Sequence, residues 1–299
     1  MPIDRGINFG INTDSFFEIG FGLIRSKNVD LLTERAGYYF NLLNRYGIDI
    51  NNIEINTEIE QLSPGFLDRV IFPLFRSYGV KSASIHAPYI QLNPASPLEG
   101  YRKFSSDAMI KTMKAAGGID VNRFVIHLTS SFEDSIPSLS IPEDDKKALE
   151  RIAVSQARKS LDEILKKTGV EPERLALENL EVFPFEMIYP LVSEFGISIC
   201  FDMGHWGLNG FAPQAFMERF SPVSEIHIQD MSEERRGLRT TIRKEHLPLG
   251  TGILKVVEFF NYLGEKFNSE DPLSLILENR SLPDLVKSLD FLKEKGFLS

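Results

Sequence analysis

The chain has 299 residues, 42% of them hydrophobic and 25% charged, with 23 Phe; this profile excludes a disordered chain and supplies apolar surface for one large core. A formal charge of −9 disfavours a broad nucleic-acid footprint, because phosphate backbones are met by an excess of Lys and Arg. Bound divalent ions would cancel part of that charge, since some of the carboxylates counted would then be ligands. The one cysteine, Cys200, stands inside the apolar run Ile197-Ser198-Ile199-Cys200-Phe201. That excludes a disulfide framework and a thiolate metal site, and it fits a reducing, cytoplasmic setting. The first six residues lack the basic-then-apolar order of a secretory signal, and no apolar run approaches the roughly 20 residues of a membrane span.

In chain order, short β-rich runs alternate with longer amphipathic stretches. Strands are expected near 6–10, 52–56, 82–86, 123–127, 174–178, 197–202, 224–228 and 274–278. Helices are expected near 29–46, 65–78, 103–117, 144–168, 184–195, 212–219, 253–265 and 283–295. Eight β-α pairs predict an α/β fold, a single (β/α)8 TIM barrel occupying residues 1–299 as one domain. No Gly-x-Gly-x-x-Gly follows the first strand, which argues against a dinucleotide-binding sheet.

Barrel enzymes place their chemistry at the C-terminal ends of the strands. Here the third run ends in His86, the fourth in His127, the fifth in Glu178 and the sixth in Asp202, while the seventh carries His227 and the eighth ends in Glu278. One such residue alone is more often a helix cap or a satisfied polar group. Six directed at one mouth, with all five histidines of the chain at or just after strand ends, point to a shared task. Crowded carboxylates are costly to bury without compensation, and a divalent cation resolves the cost. Zinc, manganese and iron all accept mixed imidazole and carboxylate ligands. Glu178, Asp202, His227 and Glu278 can enclose one ion. His86 and His127 can hold a second, bridged by Glu178, and His205 and His246 lie near a third position, so one to three ions are expected.

These residues resemble the xylose isomerase-like barrels, a family that includes sugar and sugar-phosphate isomerases and epimerases and apurinic endonuclease IV. The resemblance rests on His-Ala-Pro-Tyr at 86–89, His127, Leu-Glu-Asn at 177–179, Asp-Met-Gly-His at 202–205, His-Ile-Gln-Asp at 227–230, His-Leu-Pro-Leu-Gly-Thr-Gly at 246–252 and Leu-Glu-Asn at 277–279. It implies a metal at Glu178, Asp202, His227 and Glu278, with Glu178 and Glu278 as the acid/base pair and His205 contacting a substrate oxygen. Alternatively, each Glu is a ligand only. An endonuclease-type third metal would need an Asp two residues before His246, where this chain has Lys244. The segment after His127 is Leu-Thr-Ser rather than the Pro-Gly-Ser of that enzyme. The expectation is therefore a metal-dependent sugar or sugar-phosphate isomerase or epimerase working through an enediolate. A phosphoester hydrolase and a non-catalytic sugar-binding barrel are the alternatives.

The stretch after the seventh strand reads as a loop carrying Arg235, Arg236, Arg239, Arg243 and Lys244. Its position over the mouth implies contacts to a small anionic carbohydrate. Gly250-Thr251-Gly252 is expected to open a helix whose amides receive the same anion. Tyr89 and Trp206, each just past a candidate ligand, are expected as pocket walls.

Overall fold

A computed structural model describes residues 7–13, 29–181, 183–236, 240–267 and 273–298. Its strands are β1 (Ile7–Asn12), β2 (Ile53–Asn56), β3 (Ser82–His86), β4 (Asp120–Ile126), β5 (Leu175–Glu178), β6 (Ser198–Asp202), β7 (Val223–Ile228), β8 (Asp230–Arg236), β9 (Thr240–Leu247) and β10 (Leu273–Leu277). Eight of them close a parallel barrel in the order β1-β10-β7-β6-β5-β4-β3-β2. This is the expected (β/α)8 architecture, and each barrel strand begins and ends within three residues of its predicted run.

The helices that return the chain outside the barrel carry the end signals that local chemistry demands. The helix Glu143–Thr168 opens on Glu143, Asp144 and Asp145 and closes with Lys166 and Lys167 before Gly169 at φ 70, so charges of the favourable sign sit at both ends of the helix dipole. The helix Leu282–Glu294 is capped by Ser281, whose side chain accepts from the Asp284 amide. The expected helix at 65–78 is a π-helical turn, Leu67–Ile71, followed by the helix Phe72–Ser77. No helix among the described residues is long and apolar enough to cross a membrane.

The run expected as a loop after the seventh strand is instead an antiparallel hairpin of β8 and β9, with Glu233 opposite Arg243 and Arg235 opposite Thr241. Glu233-Glu234-Arg235-Arg236 carries no apolar alternation. The hairpin is a backbone pairing, so the usual sequence signal of a half-buried strand is missing.

Strand alternation divides the core into two parts. Outward residues such as Ile85, Phe124, Leu177, Phe201 and Ile226 join the large apolar layer between barrel and helices, where Phe201 stacks on Phe216 at 4.2 Å. Inward residues form a separate, much smaller apolar cluster of Val125, Ala176 and Cys200. Most of the other inward side chains are polar, with Ile276 beside His227 an exception. Ser84 on β3 and Arg123 on β4 both reach Glu225 on β7, at 2.8 and 3.2 Å. These strands are not neighbours, so the contacts cross the barrel.

Candidate metal centre

Glu178 ends β5 with its side chain directed inward, two residues beyond Ala176 on the same face. Its two oxygens face different partners. Oε2 lies 3.1 Å from His86 Nε2 and 2.8 Å from His127 Nε2. Oε1 lies 3.4 Å from His227 Nδ1 and 3.5 Å from His205 Nδ1. One carboxylate thus joins two groups of imidazoles. His86 is oriented from behind by the Ala87 carbonyl, 2.9 Å from Nδ1, which leaves Nε2 for the site.

His227 is wholly buried, and its Nδ1 has no hydrogen-bond partner. That atom faces Glu178 Oε1 and Glu278 Oε1, each at 3.4 Å. A buried imidazole nitrogen without a partner is costly, and beside two carboxylates it has the donor set of a divalent-ion ligand. Asp202 completes the group from β6. It also caps the helix Met203–Gly207, accepting from the His205 amide at 2.6 Å, while its other oxygen accepts from Gln229 at 2.5 Å. Gly204 permits that second contact, since a Cβ there would lie 2.6 Å from the Gln229 side chain. The residues present therefore fit a metal. Ligand atoms of His86, His127 and Glu178 lie within 4.8 Å of one another, as do those of His86, His227 and Glu278 and those of Glu178, Asp202 and His205.

Cys200 lies nearer the centre than its apolar run alone indicates. Its thiol sits on the inner face with its sulfur within 4.8 Å of Glu178 and His227 ligand atoms, so it is not remote from the centre. Burial raises its pKa well above the usual thiol value, which keeps it a thiol in the ion-free site rather than a thiolate ligand.

His205 and His246 flank a third group. The carboxylate oxygen Glu245 Oε2 lies 3.9 Å from Nε2 of each. His246 stands at φ 57, a conformation costing a non-glycine residue on the order of 1 kcal/mol or more. It is held there by its amide donating to Gln229 Oε1 at 2.5 Å and by Nδ1 lying 3.1 Å from the Glu278 carbonyl.

In the ion-free site these groups hold one another's charges. Burial opposes the charged form of His86, but the Glu178 hydrogen bond and the Glu54 charge outweigh it and push the pKa up to about 10. Burial is likewise outweighed at His205, which Asp202, Glu178 and Glu245 push up to about 9. Burial dominates at Glu245, raised to about 7, and at His246, lowered to about 4 with help from Arg280. Glu278 is also raised by burial, whereas His127 and His227 hold Glu178 below the ordinary carboxylate range against the effect of burial.

Above the centre lies a cavity of about 350 Å³ lined by Tyr89, Tyr101, Ser130, Glu181, Glu245 and Arg280 among others, within the size range of small-molecule sites. A family model described as xylose isomerase-like TIM barrel matches residues 73–295. The chain belongs to this family. The chain is similar to the uncharacterized protein MJ1614 of Methanocaldococcus jannaschii, 25% identical over 295 residues that cover 96% of this chain and 99% of the relative. In fold it is similar to a D-tagatose 3-epimerase-like protein, with 21% identity, TM-score 0.67 and 96% of each chain covered. The 3-keto-D-glucoside 4-epimerase YcjR of E. coli shares the fold at 15% identity and TM-score 0.61, with 97% of this chain and 98% of that one covered.

Within this xylose isomerase-like barrel, Glu178, Asp202, His227, Glu278, His86, His127, His205 and His246 all converge on the mouth, and Tyr89 lines it with its ring centroid 4.5 Å from that of His127. Trp206 does not line the mouth. It packs on Phe211, Phe216 and Phe220 and donates its indole N–H to the Ala212 carbonyl, because the short helix after Asp202 turns it outward into the apolar layer. Lys244 is exposed on β9 and is not among the cavity-lining residues. Arg235, Arg236 and Arg243 fall on the hairpin strands, and Arg239 lies outside the described residues. Gly250-Thr251-Gly252 does not open a helix, since the next one starts at Val256. The Gly250, Gly252 and Leu254 amides donate to the buried Asp230 carboxylate at 3.0, 2.8 and 3.1 Å, so the anion they bind is internal. A Cβ at residue 252 would lie 2.1 Å from the Met231 carbonyl, which accounts for Gly252. Sequence reasoning missed Glu54, Glu225, Glu245 and Arg280. The available signal for Glu225 was its i, i+2 spacing from His227, which puts both on one face of β7.

Proposed function

We propose that this chain, acting as one domain, is a divalent-metal-dependent isomerase or epimerase of a small sugar or sugar phosphate. The observation that carries the reading is His227 Nδ1, buried without a hydrogen-bond partner and facing Glu178 and Glu278, which in turn line a cavity of monosaccharide size. Glu178, Asp202, His227 and Glu278 would hold the ion. When bound, it would polarise adjacent sugar oxygens and stabilise an enediolate. Glu178 and Glu278 stand on β5 and at the end of β10, with His227 between them, so one can remove a proton from the sugar carbon while the other returns one. His205 stands at the cavity wall to hold a substrate oxygen. Arg280, exposed at the rim, would hold the anionic group of a sugar phosphate. The test is metal analysis of the purified protein with turnover assays on ketoses, aldoses and their phosphates. One ion per chain and epimerised or isomerised sugar support the reading.

A phosphoester hydrolase is the second reading, favoured by a specific observation. His86, His127 and Glu178 form a complete second ligand group, and Glu245, between His205 and His246, supplies the carboxylate that Lys244 does not. Two or three ions per chain, with cleavage of abasic DNA or a smaller phosphodiester and no action on any sugar, would establish it.

A further inference from the structure

We infer that Glu54, a residue of β2 at the level below the mouth, is the positioning residue that holds His227 with its proton on Nε2 and Nδ1 bare toward the ion. This rests on His227 being a ligand. Glu54 is fully buried and lines no part of the cavity, so it touches neither substrate nor solvent. It reaches across the barrel to place Oε2 3.1 Å from His227 Nε2. Glu225 Oε1 approaches the same nitrogen at 3.7 Å. Both acceptors are fixed from behind. Asn12 donates its amide to Glu54 Oε1 at 2.5 Å and to Glu278 Oε1 at 3.2 Å, and Ser84 and Arg123 donate to Glu225 Oε2. Nε2 therefore has a carboxylate oxygen at hydrogen-bond distance, whereas Nδ1 faces Glu178 and Glu278 at 3.4 Å without forming a hydrogen bond. The closer contact fixes the hydrogen on Nε2 and leaves Nδ1 for the ion, which would displace any proton there. A carboxylate behind a ligating imidazole fixes its tautomer and raises its basicity, and loss of such a partner weakens metal binding by about 10- to 100-fold. The Arg123 charge already compensates the Glu225 side of this layer, which favours an orienting brace over a second ion beneath His227.

The variant E54Q tests this because Asn12 still needs an acceptor. The amide oxygen stays toward Asn12, and the amide NH2 then faces His227 Nε2. The ring must accept there, which moves its proton to Nδ1, where the ion binds. Zn2+ affinity of the full chain is measured by chelator competition, beside the melting temperature of the ion-free protein and the 15N shifts of His227 in zinc-loaded wild type. The expected results are affinity weaker by about 10- to 100-fold in E54Q in a variant whose ion-free form still melts cooperatively, partial recovery in E54D, and wild-type His227 bound through Nδ1 with hydrogen on Nε2. Unchanged E54Q affinity overturns the inference. If E54Q does not fold, the wild-type spectrum still decides, and zinc on Nε2 overturns it. Failure of the underlying site reading looks different: His227→Ala would then bind zinc as tightly as wild type.

Discussion

Glu178 lies 3.4 Å from His227 through one carboxylate oxygen and commits the other to His86 and His127, at 3.1 and 2.8 Å. Glu278 also faces His227 at 3.4 Å; it makes no ion pair with His86 or His127 among the described residues, and of those two His86 comes within 4.8 Å of it in a shared ligand group. The two glutamates are therefore not equivalent. Glu178→Gln should remove metal from both ligand groups, whereas Glu278→Gln should weaken chiefly the ion at Glu178, Asp202 and His227. Both should lower turnover by about 100-fold or more, since each removes a group that acts on developing charge or on the proton. Metal stoichiometry beside kcat checks this, and full activity in both variants would refute the site.

How much of this was legible in the sequence follows from what each residue leaves there. Apolar runs ending in His86, His127, Glu178, Asp202 and Glu278 announce themselves because the barrel puts hydrophobic residues outward and polar ones at the mouth. Glu54 does not. Ile53 and Ile55 on either side turn it inward, but nothing in a four-residue strand tells that it meets His227 until the closed barrel brings β2 across from β7. Glu245 was hidden by register: the carboxylate beside His205 and His246 comes from the residue directly before His246, not from the one two positions back. Trp206 misled for a related reason: the helix begun by the Asp202 cap rotates it away from its neighbour His205.

The second pair of imidazoles separates the two enzyme readings. Under the isomerase reading, changing His86 and His127 together to Ala should leave the ion at Glu178, Asp202, His227 and Glu278 in place and leave appreciable turnover. Under the hydrolase reading, the same variant loses one metal equivalent and, because a principal charge-stabilising group is gone, about 100- to 1000-fold in rate. Metal content and rate measured on one preparation distinguish them.

The pH dependence has a definite sign. In the ion-free protein, His86 and His205 are raised from 6.5 to about 10 and about 9. Their contribution to stability is full below pH 6.5 and is lost as pH rises through those values. Metal binding must displace the same protons and so strengthens as pH rises. Between pH 7 and about 10, the melting temperature of ion-free protein should fall and its gap to metal-loaded protein should widen. A gap that narrows over this range would contradict the assignment of these imidazoles to the centre.

Arg280 should decide between neutral and anionic substrates. If it binds a phosphate or carboxylate at the rim, Arg280→Ala raises KM for the anionic sugar by about 10- to 100-fold, in keeping with loss of a charge-assisted contact of about 1.5 to 3 kcal/mol. The neutral parent sugar should be nearly unaffected. Equal effects on both would assign Arg280 to shaping the cavity.

Proton transfer at a sugar carbon is the central claim, and solvent isotope reads it most directly. Metal-loaded wild type turned over in D2O should place deuterium on the isomerised or epimerised carbon, because Glu178 and Glu278 exchange their protons with the cavity, and Glu278→Gln should abolish both turnover and incorporation. Turnover of a phosphodiester or abasic DNA, with no deuterium entering any sugar of the panel, would contradict it.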